Sequence, residues 1–219
     1  MCESGRLGLA ARRGFTPLGR WGSLTRMNEP SRLPTGSERL RFRLRAEDFW
    51  LLAENGAFVD DGKTELIDGE IYQMSPQHTR HARTKSRLLV VLAETLRAMG
   101  GGFEAIAEVS INVAADSVPE PDIAVVRPSD DRVLRAESVA IAIEISDTTL
   151  RLDSGRKAEL YATAGIPEYW VVDVNGNRVL FHDGPEHGIY GRRRVVPLGE
   201  PLAAATIAGL EIDSEPLIF

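Results

Sequence analysis

The sequence predicts an α/β fold: a mixed β-sheet flanked by helices, preceded by a disordered arm. Apolar residues recur at three- and four-residue steps in two long windows and at alternate positions in several short ones, so helices and strands are both expected. Those windows run helix, hairpin, helix, several strands, helix, strand, hairpin. A run of strands before one crossover helix suits a mixed sheet better than a doubly wound parallel one. Residues 1–38 show no sustained apolar period and are rich in Gly, Ser and Pro, which is the composition of a disordered arm.

Residues 39–219 are expected to form one domain. Ala46 to Asn55 reads as a short helix with Phe49, Leu52 and Ala53 on one face and Gly56 as its stop. Thr64 to Ile67 and Glu70 to Met74 read as hairpin strands around Asp68 and Gly69, the pair that tolerates the positive φ of a tight turn. After Ser75 and Pro76, a helix is predicted from Gln77 to Met99, with Leu88, Val91, Leu92, Leu96 and Met99 in its stripe and three glycines ending it. Phe103 to Val113 gives one or two strands; Pro121 to Val126 and Val139 to Ser146 give two more. Leu150 to Ala164 is the second long helix, closed by Gly165 with Pro167 beyond. Glu168 to Asp173 is a buried strand, turned by Asn175 and Gly176 into Arg178 to His182, and Ile189 to Phe219 reads as edge strands.

Composition bounds the function. A chain that is 43% hydrophobic and 26% charged is an ordinary globular protein. One cysteine, Cys2, excludes a disulfide framework and a multi-cysteine zinc site. No apolar run approaches the roughly 20 residues that span a bilayer, so no membrane partner and a cytoplasmic location are expected. Formal charge is −6, which argues against a wholly basic surface and leaves room for a local basic cleft. Residues 1–45 hold ten arginines against three glutamates and carry +7, leaving −13 on the rest. Beside plain disorder, three readings of that arm stay open: an Arg-rich targeting peptide, a basic arm for nucleic acid, or a true start at Met27.

Certain residues stand out for chemistry. Asp122 precedes the apolar strand Ile123 to Val126. Glu144 lies within Ala140 to Ser146, where alternation puts Ile141, Ile143 and Ile145 on one face and Ala140, Ala142, Glu144 and Ser146 on the other. A carboxylate there is either paired or metal-bound, or it faces solvent from an edge strand. Lys157 tops a helical stripe with Leu160, Tyr161 and Ala164; its plain alternative is a surface pair with Asp153. Of 26 basic residues only Lys63, Lys85 and Lys157 are lysines, so a lysine here suggests a need for a compact ammonium. His78, Arg80, His81, Arg83, Lys85 and Arg87 form the one dense basic stretch outside the arm, either a phosphate-binding helix start or a solvated face. Trp170 reads as core, His182 and His187 as surface, and no third ligand accompanies His78 and His81 for zinc.

Together, Asp122, Glu144 and Lys157 resemble the PD-(D/E)xK nuclease superfamily. The match is closer to one branch, the Uma-two family of restriction-endonuclease-like proteins. It rests on Glu65-Leu-Ile-Asp-Gly-Glu-Ile71, Pro119-Glu-Pro-Asp-Ile-Ala-Val125, Ile143-Glu-Ile-Ser146 and the stretch from Lys157 to Asp173. The resemblance implies a restriction-endonuclease-like fold and an endonuclease that hydrolyses DNA with Mg²⁺, or Mn²⁺ in its place. Asp122, Glu144 and the Ile145 carbonyl would be metal ligands, with Glu70 a third acid at or behind the metal. Superfamily members carry the lysine two residues after the acid, where this chain has Ser146; the branch supplies it from the next helix, which points to Lys157. A homodimer is left open. Two other classes compete: a catalytically silent relative that binds nucleic acid or protein, and a metal-dependent hydrolase of another substrate.

Overall fold

A computed structural model describes residues 41–59 and 62–218; the arm expected over residues 1–38 lies outside them. Helix α1 (Ala46–Glu54) buries Ala46 and Phe49. Strands β1 (Thr64–Ile67) and β2 (Glu70–Gln73) pair antiparallel with Ile67 opposite Glu70. Their turn needs φ of 52° at Asp68 and 75° at Gly69. A Cβ on Gly69 would lie 2.6 Å from Arg43 Cβ, so only glycine fits there. Helix α2 (Thr79–Ala98) buries Leu88, Leu92 and Leu96, each contributing about 1.5–3 kcal/mol of transfer energy.

The chain continues through β3 (Glu104–Ala107), β4 (Ile111–Asn112), β5 (Ile123–Val126), β6 (Leu134–Arg135) and β7 (Val139–Ser146). Next comes one helical segment in three parts: α3 (Leu150–Leu152), a π-helical turn over Asp153–Lys157, and α4 (Ala158–Thr163). Then come β8 (Glu168–Asp173), β9 (Arg178–Glu186), β10 (Ile189–Pro197), β11 (Leu202–Ala203) and β12 (Glu211–Ile212). The central sheet has the order β10-β9-β8-β7-β5-β3. Within it, only β7 and β8 run parallel, because a helical crossover joins them, and its other pairs are antiparallel; apart from it, β4 and β6 form a short parallel pair.

Both faces of the sheet are covered. Leu88, Leu92 and Leu96 of α2 pack with Ile123, Val125, Ile141, Ile143 and Trp170. Ala158, Tyr161 and Ala162 of α4 pack with Ala124, Ala142, Tyr169 and Val171 on the other side. The fold is therefore mixed α/β with helices on both sides.

Several expectations need correction. Strict alternation along β7 fails at Ala140, which packs with the isoleucine face. Val126 pairs with Val139 and Val125 with Ile141, so Ala140 is an extra, bulged residue. The C-terminal segment is not a set of edge strands. Only β10 joins the sheet, while β11 and β12 form their own ladder and add Leu202, Ile207, Leu210 and Ile212 to the α2 face. His182 is buried, stacked 5.7 Å from Tyr169; the long β9 carries it inward, whereas His187 in the β9–β10 turn is exposed.

Candidate active site

The site forms where the pairing of β5 with β7 stops. The last paired residues are Ile123 and Ile143, so beyond them the β7 edge lacks a strand partner. Asp122 fills that gap: its Oδ2 accepts from the Ile145 N–H at 2.8 Å. The same oxygen lies 3.1 Å from His81 Nε2 on α2, and Lys85 Nζ stands 3.6 Å from Oδ1. A residue's N–H and C=O leave a strand on the same edge, so the Ile145 carbonyl faces the Asp122 side.

One residue earlier, Glu144 points to the α4 side and is buried. Its Oε1 accepts from Lys157 Nζ at 3.0 Å and from the Tyr161 hydroxyl at 3.1 Å. Lys157 Nζ also lies 3.1 Å from Glu65 Oε2, reached from β1. Lys157 ends the π-helical turn, a local widening often found at functional sites. Asp153, at the start of that turn, accepts from the Thr149 hydroxyl at 2.5 Å. Glu65, His81, Asp122, Glu144, Asp153 and Lys157 share a cleft of about 200 Å³ with residues 73–78.

The electrostatics follow from burial. Removal from water drives the Glu144 carboxyl well above the usual carboxylate range; Lys157 opposes this, while Asp153, Asp122 and Glu65 add to it. Burial works against the charge on Lys157, but Glu144, Glu65 and Asp153 outweigh it and hold the ammonium above the ordinary lysine range. Asp153 is raised by burial against the pull of Thr149 and Lys157.

The donor set can be tested against a metal. Among the described residues, no three His, Cys, Asp or Glu side chains are grouped as a metal cage. Two carboxylates and a carbonyl remain, all hard oxygen donors. Each carboxylate has one oxygen taken by protein donors: Oδ2 of Asp122 and Oε1 of Glu144. Such a set suits Mg²⁺, which keeps several waters and takes one or two carboxylates. It does not suit a structural zinc, which takes four protein ligands.

The structure therefore brings Asp122, Glu144, Ile145 and Lys157 to one place. It does not bring Glu70 there. Glu70 pairs with Arg41 at 3.2 Å, accepts from the Tyr72 hydroxyl and is partly exposed; it stands beside the turn, opposite Ile67, whereas Glu65 stands opposite Tyr72 at the cleft. The acid that the hairpin does supply is Glu65, only 5% exposed. Its signal was in the sequence: Glu65 and Ile67 share a strand face, and a charged residue alternating with a core isoleucine is not an ordinary surface residue. Tyr161 and His81 were legible as a stripe residue and a basic-helix residue, not as partners of Glu144 and Asp122. The basic stretch of α2 is not a uniformly solvated face. Arg80 donates to Asn177 Oδ1 at 3.3 Å, Arg87 donates to the Pro216 carbonyl at 2.6 Å, and Lys85 is buried.

Comparison with known proteins places this geometry in context. Residues 46–215 match the Uma2 family, described as "Putative restriction endonuclease". A solved structure from Anabaena variabilis ATCC 29413, titled a "putative nuclease belonging to DUF820", superposes with a TM-score of 0.61 at 16% identity. The match covers 80% of this chain and 97% of that one, and shows a shared fold. No curated protein matches the chain. Among the described residues, no helix is long and apolar enough to cross a membrane.

Proposed function

This chain belongs to the Uma2 family, and from that premise we propose that its domain is a magnesium-dependent endonuclease that hydrolyses phosphodiester bonds of DNA. One observation carries the reading: Asp122 from the bend before β5, Glu144 from β7 and Lys157 from the π-helical turn line a single cleft. Asp122, Glu144 and the Ile145 carbonyl would hold the metal, with Mn²⁺ as a substitute. When bound, such an ion supplies Lewis acidity at a phosphoryl oxygen and a water of lowered pKa. His81 and the Ile145 N–H fix the orientation of Asp122 through Oδ2. Tyr161 and Lys157 do the same for Glu144 through Oε1.

Lys157 keeps its proton, so its role is that of a donor. It directs N–H bonds at the attacking water or at an oxygen on which charge builds, and stabilises that charge in a water-poor site. The ammonium is a point charge on a flexible stem, and a planar guanidinium does not take its place.

The test is nicking of supercoiled plasmid. Cleavage is expected with Mg²⁺ or Mn²⁺, none with Ca²⁺ or chelator, and a loss of at least a hundredfold in Asp122→Asn and in Lys157→Arg. Equal cleavage by Asp122→Asn would refute the assignment. A second reading, a catalytically silent relative that acts as a binding module, draws on the −13 charge of residues 46–219, which disfavours loose binding to a polyanion. DNA bound but never cut under any metal would select it.

A further inference from the structure

Beside the cleft lies a second cavity of about 550 Å³, lined by Lys63, Gln77 and Glu108 and sharing residues 73–77 with the first. At its edge a single carboxylate sits between two ammonium groups. Glu108 Oε2 lies 2.5 Å from Lys63 Nζ, and Glu108 Oε1 accepts from Lys85. Gln77 Nε2 donates to the same Oε1 at 3.3 Å. Lys63 also lies 3.1 Å from Glu120.

Glu108 reaches this position in an unusual conformation. Its φ is +54°, which non-glycine residues seldom adopt, and its N–H donates to the Asp122 carbonyl at 3.2 Å. Strained backbone of this kind gathers at ligand clamps and switch regions. The pair with Lys63 contributes little to stability, since the Glu108 side chain is 35% exposed and that of Lys63 43%; the pair with the buried Lys85 is the one that the fold draws on. Two cations and an amide N–H around one anion form the environment that a phosphate group requires. The lysine count points the same way: the chain has only three, and Lys63 and Lys85 converge on this carboxylate while Lys157 lies in the adjoining cleft.

We infer that Lys63 and Lys85 form a phosphate-binding subsite next to the cleft, which the Glu108 carboxylate occupies until a phosphate of the substrate displaces it. The nature of that substrate rests on the nuclease reading; the anion site does not. Glu108 is thus an internal competitor that lowers affinity for polyanions until one is held in register with the cleft.

The experiment uses the full chain without metal, with pyrophosphate titrated by calorimetry and a labelled duplex oligonucleotide by anisotropy. Glu108→Gln should bind pyrophosphate at least tenfold more tightly than wild type, and adding Lys63→Gln should abolish the gain. For the duplex, the slope of log K against log salt should steepen by about 1 in Glu108→Gln, the value for one more phosphate contact. Lys63→Gln alone should weaken duplex binding, which keeps the test open should Glu108→Gln fold poorly. Unchanged pyrophosphate affinity in folded Glu108→Gln would overturn the subsite, as would a gain that survives Lys63→Gln. Plasmid cleavage by wild type with no pyrophosphate gain removes the subsite alone. A pyrophosphate gain with DNA neither bound nor cut leaves the subsite standing and removes the nuclease reading.

Discussion

Replacing Lys157 by methionine tests whether the cleft is held by a buried cation. Methionine keeps an unbranched apolar stem and deletes the charge. Lys157 is 5% exposed at its side chain, and Glu65 and Glu144 are each 6% exposed, at 3.1 and 3.0 Å. Removing one partner of a buried pair costs about 3–5 kcal/mol, because the other charge is left without compensation. For a chain of this size each kcal/mol lowers Tm by about 2–4 °C, so a fall of about 6–20 °C is expected at pH 8. The pH dependence has a definite sign. Burial already raises the Glu144 carboxyl, and Lys157 opposes that shift; without Lys157 it rises further. A group whose folded pKa exceeds its unfolded one contributes stability that is complete below the unfolded value, here 4.5. That contribution is lost as pH rises through the folded value. The deficit of Lys157→Met should therefore be small near pH 4 and grow towards pH 8. Adding Glu144→Gln should recover part of it. Thermal and urea melts read all three. A loss below about 1 kcal/mol at pH 8, the worth of a surface pair, would refute the reasoning.

Two further outcomes are expected from buried groups away from the cleft. Glu168 is fully buried and accepts from Trp170 Nε1 at 2.7 Å, Ala205 N at 2.9 Å, Thr206 N at 3.0 Å and Thr206 Oγ1 at 2.8 Å. Glu168→Gln turns one acceptor into a donor facing those donors, and should cost about 2–4 kcal/mol with faster amide exchange over residues 203–212. Burial, and then Arg193, lower the His182 pKa from 6.5, so the fold favours neutral imidazole. Its contribution is present above pH 6.5 and lost as pH falls; His182→Phe should flatten the stability profile below pH 6.5, and an unchanged acid limb would count against this.

Most elements were legible because their signals are local. Asp68 and Gly69 specify a positive-φ turn, and β7 and β8 span the residues that their apolar runs mark. What the sequence hid depends on tertiary pairing. The bulge at Ala140 arises from the register between β5 and β7, and no property of Ala140 announces it. The π-helical turn is equally silent: Asp153 to Lys157 reads as ordinary helix, yet one residue added to a turn rotates the next turn by about 100° relative to a regular helix. Glu70 and Glu65 show a subtler failure. Both lie on one face of the same short hairpin, since Glu65 stands opposite Tyr72 and Ile67 opposite Glu70, so alternation does not separate them; their distance from the turn does. The α2 side chains that meet Asp122, His81 and Lys85, lie 41 and 37 residues away in the chain, and spacing alone does not bring them together.

The position of the lysine and the acidity of the domain are connected. Ser146 stands two residues after Glu144 on the same strand face, and it is buried. The ammonium enters instead from the helix, between Glu65 and Glu144. Glu65 in turn accepts from the Glu120 N–H at 3.4 Å. Glu120 pairs with Lys63, Lys63 with Glu108, Glu108 with Lys85, and Lys85 approaches Asp122. Charged residues thus run around the cleft from one proposed metal ligand to the other, alternating in sign except where Glu65 meets the Glu120 N–H, and every lysine of the chain lies on that path. A net charge of −13 over residues 46–219 describes the surface as a whole, but a polyanion meets the local field. On the proposed reading, DNA engages the domain through the lysines of this path rather than through its net charge. There, each ammonium stays neutralised by a carboxylate until a phosphate takes that carboxylate's place or a metal ion claims the carboxylate as a ligand.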